Sequence, residues 1–243
     1  MKIIKLSAID STNSFLKEMA SNSMLENFTV VWAENQTKGR GQHNSEWITE
    51  PFKNLTFSTY ISFKSVLTKH KKYLNFAISL AVYEVLNAKN IPKLFIKWPN
   101  DILSGNKKIC GILIENTFSG SKIKNTIVGI GLNVNQENFK NLQQKITSIK
   151  LEIKKEIVLQ NLLEEVLFKI KEYILLLEQQ HYKILEESYL NKLYKKNTPT
   201  MFKDSKGKLF MGIISGISKE GNLLITLEDD TIQEYGIKEV SIA

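Results

Sequence analysis

The chain has 243 residues, 42% hydrophobic and 24% charged. That is the composition of a globular protein with one sizeable core, or one core and a small second domain. Lys and Arg number 33 against 25 Asp and Glu, a formal net charge of +8, which suits nucleotides, nucleic acid, anionic membranes or acidic proteins without choosing among them. The one cysteine, Cys110, excludes an internal disulfide, and the scattered His43, His70 and His181 argue against a zinc site.

Taken in chain order, "MKIIKLSAID" has no long apolar run before its first charges, and no later run approaches a membrane span. No membrane partner and a cytoplasmic location are therefore expected. "IIKLSAI" reads as a strand, and "DSTNSFLKEMASNS" as a helix capped by Asp10 or Ser11. "FTVVWAEN" and "NLTFSTYISF" read as strands on either side of a loop, "QTKGRGQHNSEW". "KKYLNFAISLAVYEVLNAK" has apolar residues at helical spacing. "LFIKW", "KICGILIEN" and "NTIVGIGLNV" read as strands, with turns at Gly105 and Gly120. From about Ile157 to Leu193 the pattern is amphipathic, giving two helices or one bent helix. After "KKNTPT" come four or five short β segments, ending in "EVSIA", which suggest a small SH3-like barrel. The expected fold is α+β, a mixed or antiparallel sheet with helices over residues 1–196 and a small β domain over 197–243.

Several segments carry chemistry. In "GRGQHNSEW", Gly39 and Gly41 allow close backbone approach, Arg40 offers a rigid fork for phosphate or carboxylate, and Trp47 can cover an aromatic base. Alone, the segment also reads as an exposed hairpin loop. In "KWPND", Lys97 closes a strand, and Asn100 and Asp101 follow an extended Trp98-Pro99 turn. A carboxylate there can bind Mg²⁺ or orient an amine, or the pair can simply form a turn with its own backbone. In "KKICGILIE", Lys108 can point into a cleft or lie on the surface, while Cys110, with no histidine to activate it, reads as core packing. In "GIGLNVN", Gly129 and Gly131 alternate within a strand, which suggests close approach by a ligand or another backbone, or else a bulge. Asn133 and Asn135 follow on one face.

The succession "DSTN", "QTKGRG" with Trp47, "KWPND", "KK.CGILIE" and "GIGLNVN", closed by a small β domain, resembles the biotin–protein ligases (biotin–[acetyl-CoA-carboxylase] ligases) over nearly the whole chain. The resemblance implies a class II synthetase-like catalytic fold. It implies biotin and ATP as substrates with Mg²⁺, a biotinyl-5′-AMP intermediate, and a biotin carboxyl carrier protein or domain as partner. Carried over residue by residue, Ser11, Thr12, Asn13 and Gln36 would hold the ring end of biotin, with backbone contacts from Gly39 and Gly111. Arg40 and Lys108 would hold its carboxylate and the α-phosphate. Gln42, Trp47, Asn100 and Asn133 would meet the adenylate. Lys97 and Asp101 would serve the phosphate and the incoming amine, with Asp101 also a candidate magnesium ligand.

Two departures stand out. Gln42, Asn44 and Ser45 occupy Arg, Gly and Arg positions of the loop often seen in this family, and "EVSIA" lacks the basic residue often found there. Because "DSTN" begins at Asp10, the short class without an N-terminal DNA-binding domain is expected, with no specific DNA partner and a homodimer left open. A lipoate–protein ligase or octanoyltransferase shares the fold, but its usual R-R-x-x-G-G-G loop is missing. A basic nucleic-acid-binding module is the alternative from another class, and the C-terminal segment is too apolar and acidic for it.

Overall fold

Seven strands build a mixed sheet in the computed structural model, which describes residues 1–42, 45–139 and 145–243. They are β1 (Ile3–Leu6), β2 (Thr29–Ala33), β3 (Leu55–Ser62), β4 (Leu94–Lys97), β5 (Asp101–Ser104), β6 (Lys107–Ser119) and β7 (Lys122–Leu132), in the order β1-β2-β3-β7-β6-β5-β4. β1 and β2 run parallel and every other neighbouring pair antiparallel.

Side chains alternate across a strand, so each strand feeds two faces. Val30 and Trp32 of β2 enter the main core, whereas Val31 between them joins Leu16 and Ile127 in a second, smaller cluster. Helix α1 (Thr12–Asn22) covers the second face, packing on β2, β3 and β7. Helix α2 (Lys71–Ala88) covers the first and packs against α4 (Leu159–Glu178) and α5 (Tyr182–Asn191). The periodic apolar residues of α4, among them Leu163, Val166, Leu167 and Ile170, are fully buried. Each such side chain contributes roughly 1.5–3 kcal/mol by leaving water.

The amphipathic stretch from 157 to 193 resolves into two helices, with Gln180 in the left-handed region at φ 60° between them. Two elements go beyond the sequence reading. "DILS" is a strand, β5, paired on both sides where a turn was expected after Pro99. Residues Ile149–Ile153 form a one-turn helix, α3, capped by the Ser148 hydroxyl, which accepts from Leu151 N at 3.3 Å. Both are too short to show a period.

The C-terminal strands β8 (Pro199–Asp204), β9 (Leu209–Ile217), β10 (Leu223–Leu227), β11 (Ile232–Tyr235) and β12 (Val240–Ile242) form an antiparallel sheet in the order β11-β10-β9-β8-β12. It fits the small β domain expected there. Phe202, Ile214, Leu223 and Ile225 join the main core, so the apolar interior is continuous between the two sheets. Polar ties cross the same junction. Lys72 Nζ pairs with Glu186 at 2.8 Å and donates to the Ser218 carbonyl at 3.1 Å, and Trp98 Nε1 donates to the Gly221 carbonyl at 3.0 Å. Among the described residues no helix is long and apolar enough to cross a membrane.

Candidate functional site

The face of the large sheet that carries α1 changes character toward β6 and β7. Ser58, Gly129 and Leu113 stand in one row across β3, β7 and β6, and Thr56, Gly131 and Gly111 in the next, which continues to Asp101 on β5. Small and polar residues on alternate positions leave a floor rather than a packed surface. Above it lies a cavity of about 760 Å³, closed on one side by Phe202, Leu223 and Val240 of the second sheet. Of the candidate residues, Ser11, Thr12, Asn13, Gln36, Arg40, Gln42, Trp47, Lys97, Asn100, Asp101, Lys108, Gly111 and Asn133 all line it. Gly39 does not; its carbonyl accepts from Trp47 N at 2.8 Å at the base of the loop.

The two glycines of β7 are explained by what rests on them. A Cβ on Gly129 would lie 2.2 Å from Asn13 Oδ1, and one on Gly131 would lie 2.2 Å from the Trp47 ring. The approach expected here from a ligand or another backbone is instead made by two side chains of the chain itself.

One end of the cavity is a polar cluster built on the start of α1. Ser11 caps the helix, its hydroxyl accepting from Ser14 N at 3.4 Å. Thr12 donates through both its backbone N–H (2.8 Å) and its hydroxyl (2.9 Å) to Gln36 Oε1. Ser58 Oγ lies 2.7 Å from Thr12 Oγ1 and 2.5 Å from Asn13 Oδ1. Asn13 Nδ2 donates to Glu115 Oε2 at 2.8 Å, and Arg40 donates to the same oxygen at 2.8 Å. Ser58 and Glu115 escaped the sequence reading. Strand parity could have found Ser58, because its position opposite Gly129 places it on the glycine face.

The other end is cationic. β6 carries a bulge against β5: Ile102 faces Cys110, but the next residue, Leu103, faces Lys108. Ile109 and Cys110, consecutive in sequence, both enter the core, and the displaced register turns Lys108 onto the site face, as bulges beside functional sites do. Lys108 Nζ lies 2.7 Å from Asp101 Oδ1 and 5.5 Å from the centre of the Trp47 ring. Trp47 Nε1 is buried against Gly131 with no hydrogen-bond partner among the described residues. Arg40 is the one arginine among the chain's 33 Lys and Arg residues. The planar fork that lysine cannot supply is thus used at a single place, on this cavity.

Other candidates are held by the framework. The Asn100 side chain donates to the Ile112 carbonyl, while the Asn100 backbone carbonyl accepts from Ile112 N at 3.1 Å. Asn133 Nδ2 donates to the Thr147 carbonyl at 3.1 Å. Asn135 brackets Ile157 with two bonds, away from the site. The Trp98-Pro99 peptide is cis, and the Pro99 carbonyl accepts from Asn75 Nδ2 at 2.5 Å. Burial pushes the Cys110 thiol up, which fits the packing role expected for it. Asn44 of the loop lies outside the described residues.

The cavity thus lies between a polar helix start and a cationic loop, on a mixed sheet with helices on both faces. Residues 6–133 match the model of the biotin/lipoate A/B protein ligase family, and the chain belongs to that family. It is 34% identical over 136 residues to the bifunctional ligase/repressor BirA of Bacillus spizizenii, covering 56% of this chain and 41% of that protein. It is 34% identical over 131 residues to the biotin–[acetyl-CoA-carboxylase] ligase of Paracoccus denitrificans, covering 53% of each. The matches thus span about half the length of these curated relatives, or less. Among solved structures, the biotin protein ligase from Aquifex aeolicus in complex with biotin and ATP is similar with a TM-score of 0.79 at 28% identity, over 100% of this chain and 98% of that one.

Proposed function

We propose that the chain is a biotin–protein ligase, with residues 1–196 as its catalytic domain and 197–243 as a β domain closing the cavity. It would make biotinyl-5′-AMP from biotin and ATP and pass biotin to a lysine of a biotin carboxyl carrier protein or domain. The observation that carries this reading over lipoate or octanoate is the polar cluster of Thr12, Asn13, Ser58 and Gln36. A ureido ring offers two N–H donors and one carbonyl acceptor to such a cluster. An apolar dithiolane or alkyl tail offers the cluster no donor or acceptor and only shuts it off from water, and a site built for hydrogen bonds rejects a ligand lacking them. Thermal melting with biotin or lipoate tests this: biotin is expected to raise the Tm, and stabilisation by lipoate alone would overturn the reading.

In the first step the biotin carboxylate attacks the α-phosphorus of ATP and pyrophosphate leaves. Two anions must meet, so cations aimed at the transferring group matter most where charge builds up. Arg40 and Lys108 supply them at the loop end of the cavity. In the second step the neutral amine of the acceptor lysine attacks the acyl carbon and AMP leaves. Asp101, 2.7 Å from Lys108, would orient that amine or take its proton. Lys97, opposite Asp101 in the β4–β5 pair, lies at the same mouth. Among the described residues no three His, Cys, Asp or Glu side chains gather to hold a metal. With Asp101 already paired, the donor set does not fit a resident ion, and magnesium enters with the phosphates of ATP as part of the substrate.

Gln42 lines the cavity in place of a cation. Gln42→Arg is expected to slow release of biotinyl-5′-AMP several-fold, measured as the off-rate of the preformed intermediate; an unchanged off-rate would show that this position does not control retention. The net charge of +8 is expected to steer an acidic carrier domain toward the Lys97, Asp101 and Lys108 end of the cavity. Transfer from preformed biotinyl-5′-AMP, measured separately from adenylation, should then fall as salt screens the field. Transfer indifferent to salt would remove the steering.

A further inference from the structure

We propose that Glu115 is a positioning residue of the ligase reaction, one that sets Arg40 and Asn13 at the same time and so ties the polar end of the cavity to the cationic loop. The inference rests on the ligase reading. Glu115 sits on β6, two pairs along from Gly111 on the same face, opposite Ile127. Its Oε2 accepts from Asn13 Nδ2 and from Arg40, each at 2.8 Å, and Lys17 Nζ lies 3.9 Å from its Oε1. Asn13 and Arg40 both line the cavity, and Glu115 reaches it through them.

Two consequences follow from a carboxylate at this point. An ionised carboxylate only accepts hydrogen bonds, so it draws the amide nitrogen of Asn13 toward itself. That leaves Asn13 Oδ1 turned to Ser58 and the cavity, an acceptor for a ureido N–H rather than a donor that would repel it. The same oxygen takes one arm of the Arg40 guanidinium and leaves the remaining N–H donors of the fork for an anion. Glu115 thus fixes which end of Asn13 faces the ring and where Arg40 stands. An isosteric glutamine keeps the volume but introduces a donor, so Asn13 is free to turn over and Arg40 loses its counter-charge.

The test measures biotin-dependent pyrophosphate release for the wild type, Glu115→Gln, Glu115→Asp, Arg40→Ala, Asn13→Ala, and the pairs of Glu115→Gln with Arg40→Ala and with Asn13→Ala, with Tm recorded for each. Glu115→Gln is expected to raise KM for biotin about tenfold and to lower kcat, with KM for ATP and Tm little changed. Most of the kcat effect should vanish in the Arg40→Ala background and most of the KM effect in the Asn13→Ala background, since residues acting through one another are not additive. Glu115→Asp, which keeps the charge but shortens the reach, should keep Asn13 oriented and recover part of the KM loss. Wild-type kinetics in Glu115→Gln, or the same fold-loss in all backgrounds, would overturn the positioning role alone. A wild type that releases no pyrophosphate with biotin and ATP would overturn the ligase reading, and the role with it.

Discussion

Replacing Lys108 with alanine is expected to lower adenylate formation by about 10²–10³, the usual cost of removing one preorganised donor from a developing charge. Two effects add at this position. The ammonium that would face the α-phosphate is lost, and Asp101, now paired with it at 2.7 Å, is left as an uncompensated carboxylate beside an incoming anion. Biotin binding should survive, because the ring end of the cavity is built from α1, β3 and Gln36. Pyrophosphate release at saturating biotin and ATP, together with a biotin titration, separates the two. Near-normal release by Lys108→Ala would sink the assignment.

Gly129→Ala is expected to weaken biotin binding roughly tenfold to a hundredfold without unfolding the protein. The new Cβ would stand 2.2 Å from Asn13 Oδ1 and 2.9 Å from its Cγ, so Asn13 has to move. It is 3% exposed and bonded to both Ser58 and Glu115, so moving it breaks bonds on two sides. Each buried group left unpaired costs ~1–3 kcal/mol, and each ~1.4 kcal/mol is tenfold in affinity. The backbone pulls the other way, since alanine is favoured over glycine within a strand by roughly 0.5–1 kcal/mol. The Tm is therefore expected to fall by several degrees with the fold kept, while calorimetric titration with biotin shows the loss. Unchanged biotin affinity would mean that Asn13 does not contact the ligand.

The elements with long, regular patterns are legible in the sequence. The apolar spacing of α2 and α4, and the β-branched alternation of β3, leave little choice of structure. The candidate site is legible for a different reason: Arg40, Asp101 and Lys108 belong to short segments whose order resembles one family, and all three line the cavity. What the sequence hides is register. The bulge that turns Lys108 onto the glycine face arises from the pairing of β5 with β6, and β5 is too short to announce itself. Ser58 and Glu115 look like ordinary strand residues until they are placed beside Gly129 and Ile127. The glycines of β7 were readable as a close approach, but only packing shows that Asn13 and Trp47 make it.

The most direct test of the ligase assignment is the mass of the acceptor. A biotin carboxyl carrier domain is incubated with the protein, biotin, ATP and magnesium, and its intact mass is compared with controls lacking ATP or carrying alanine at the acceptor lysine. The ligase reading predicts a gain of one biotinyl group, dependent on ATP and on that lysine. No gain in mass by a folded protein that binds both biotin and ATP would contradict it.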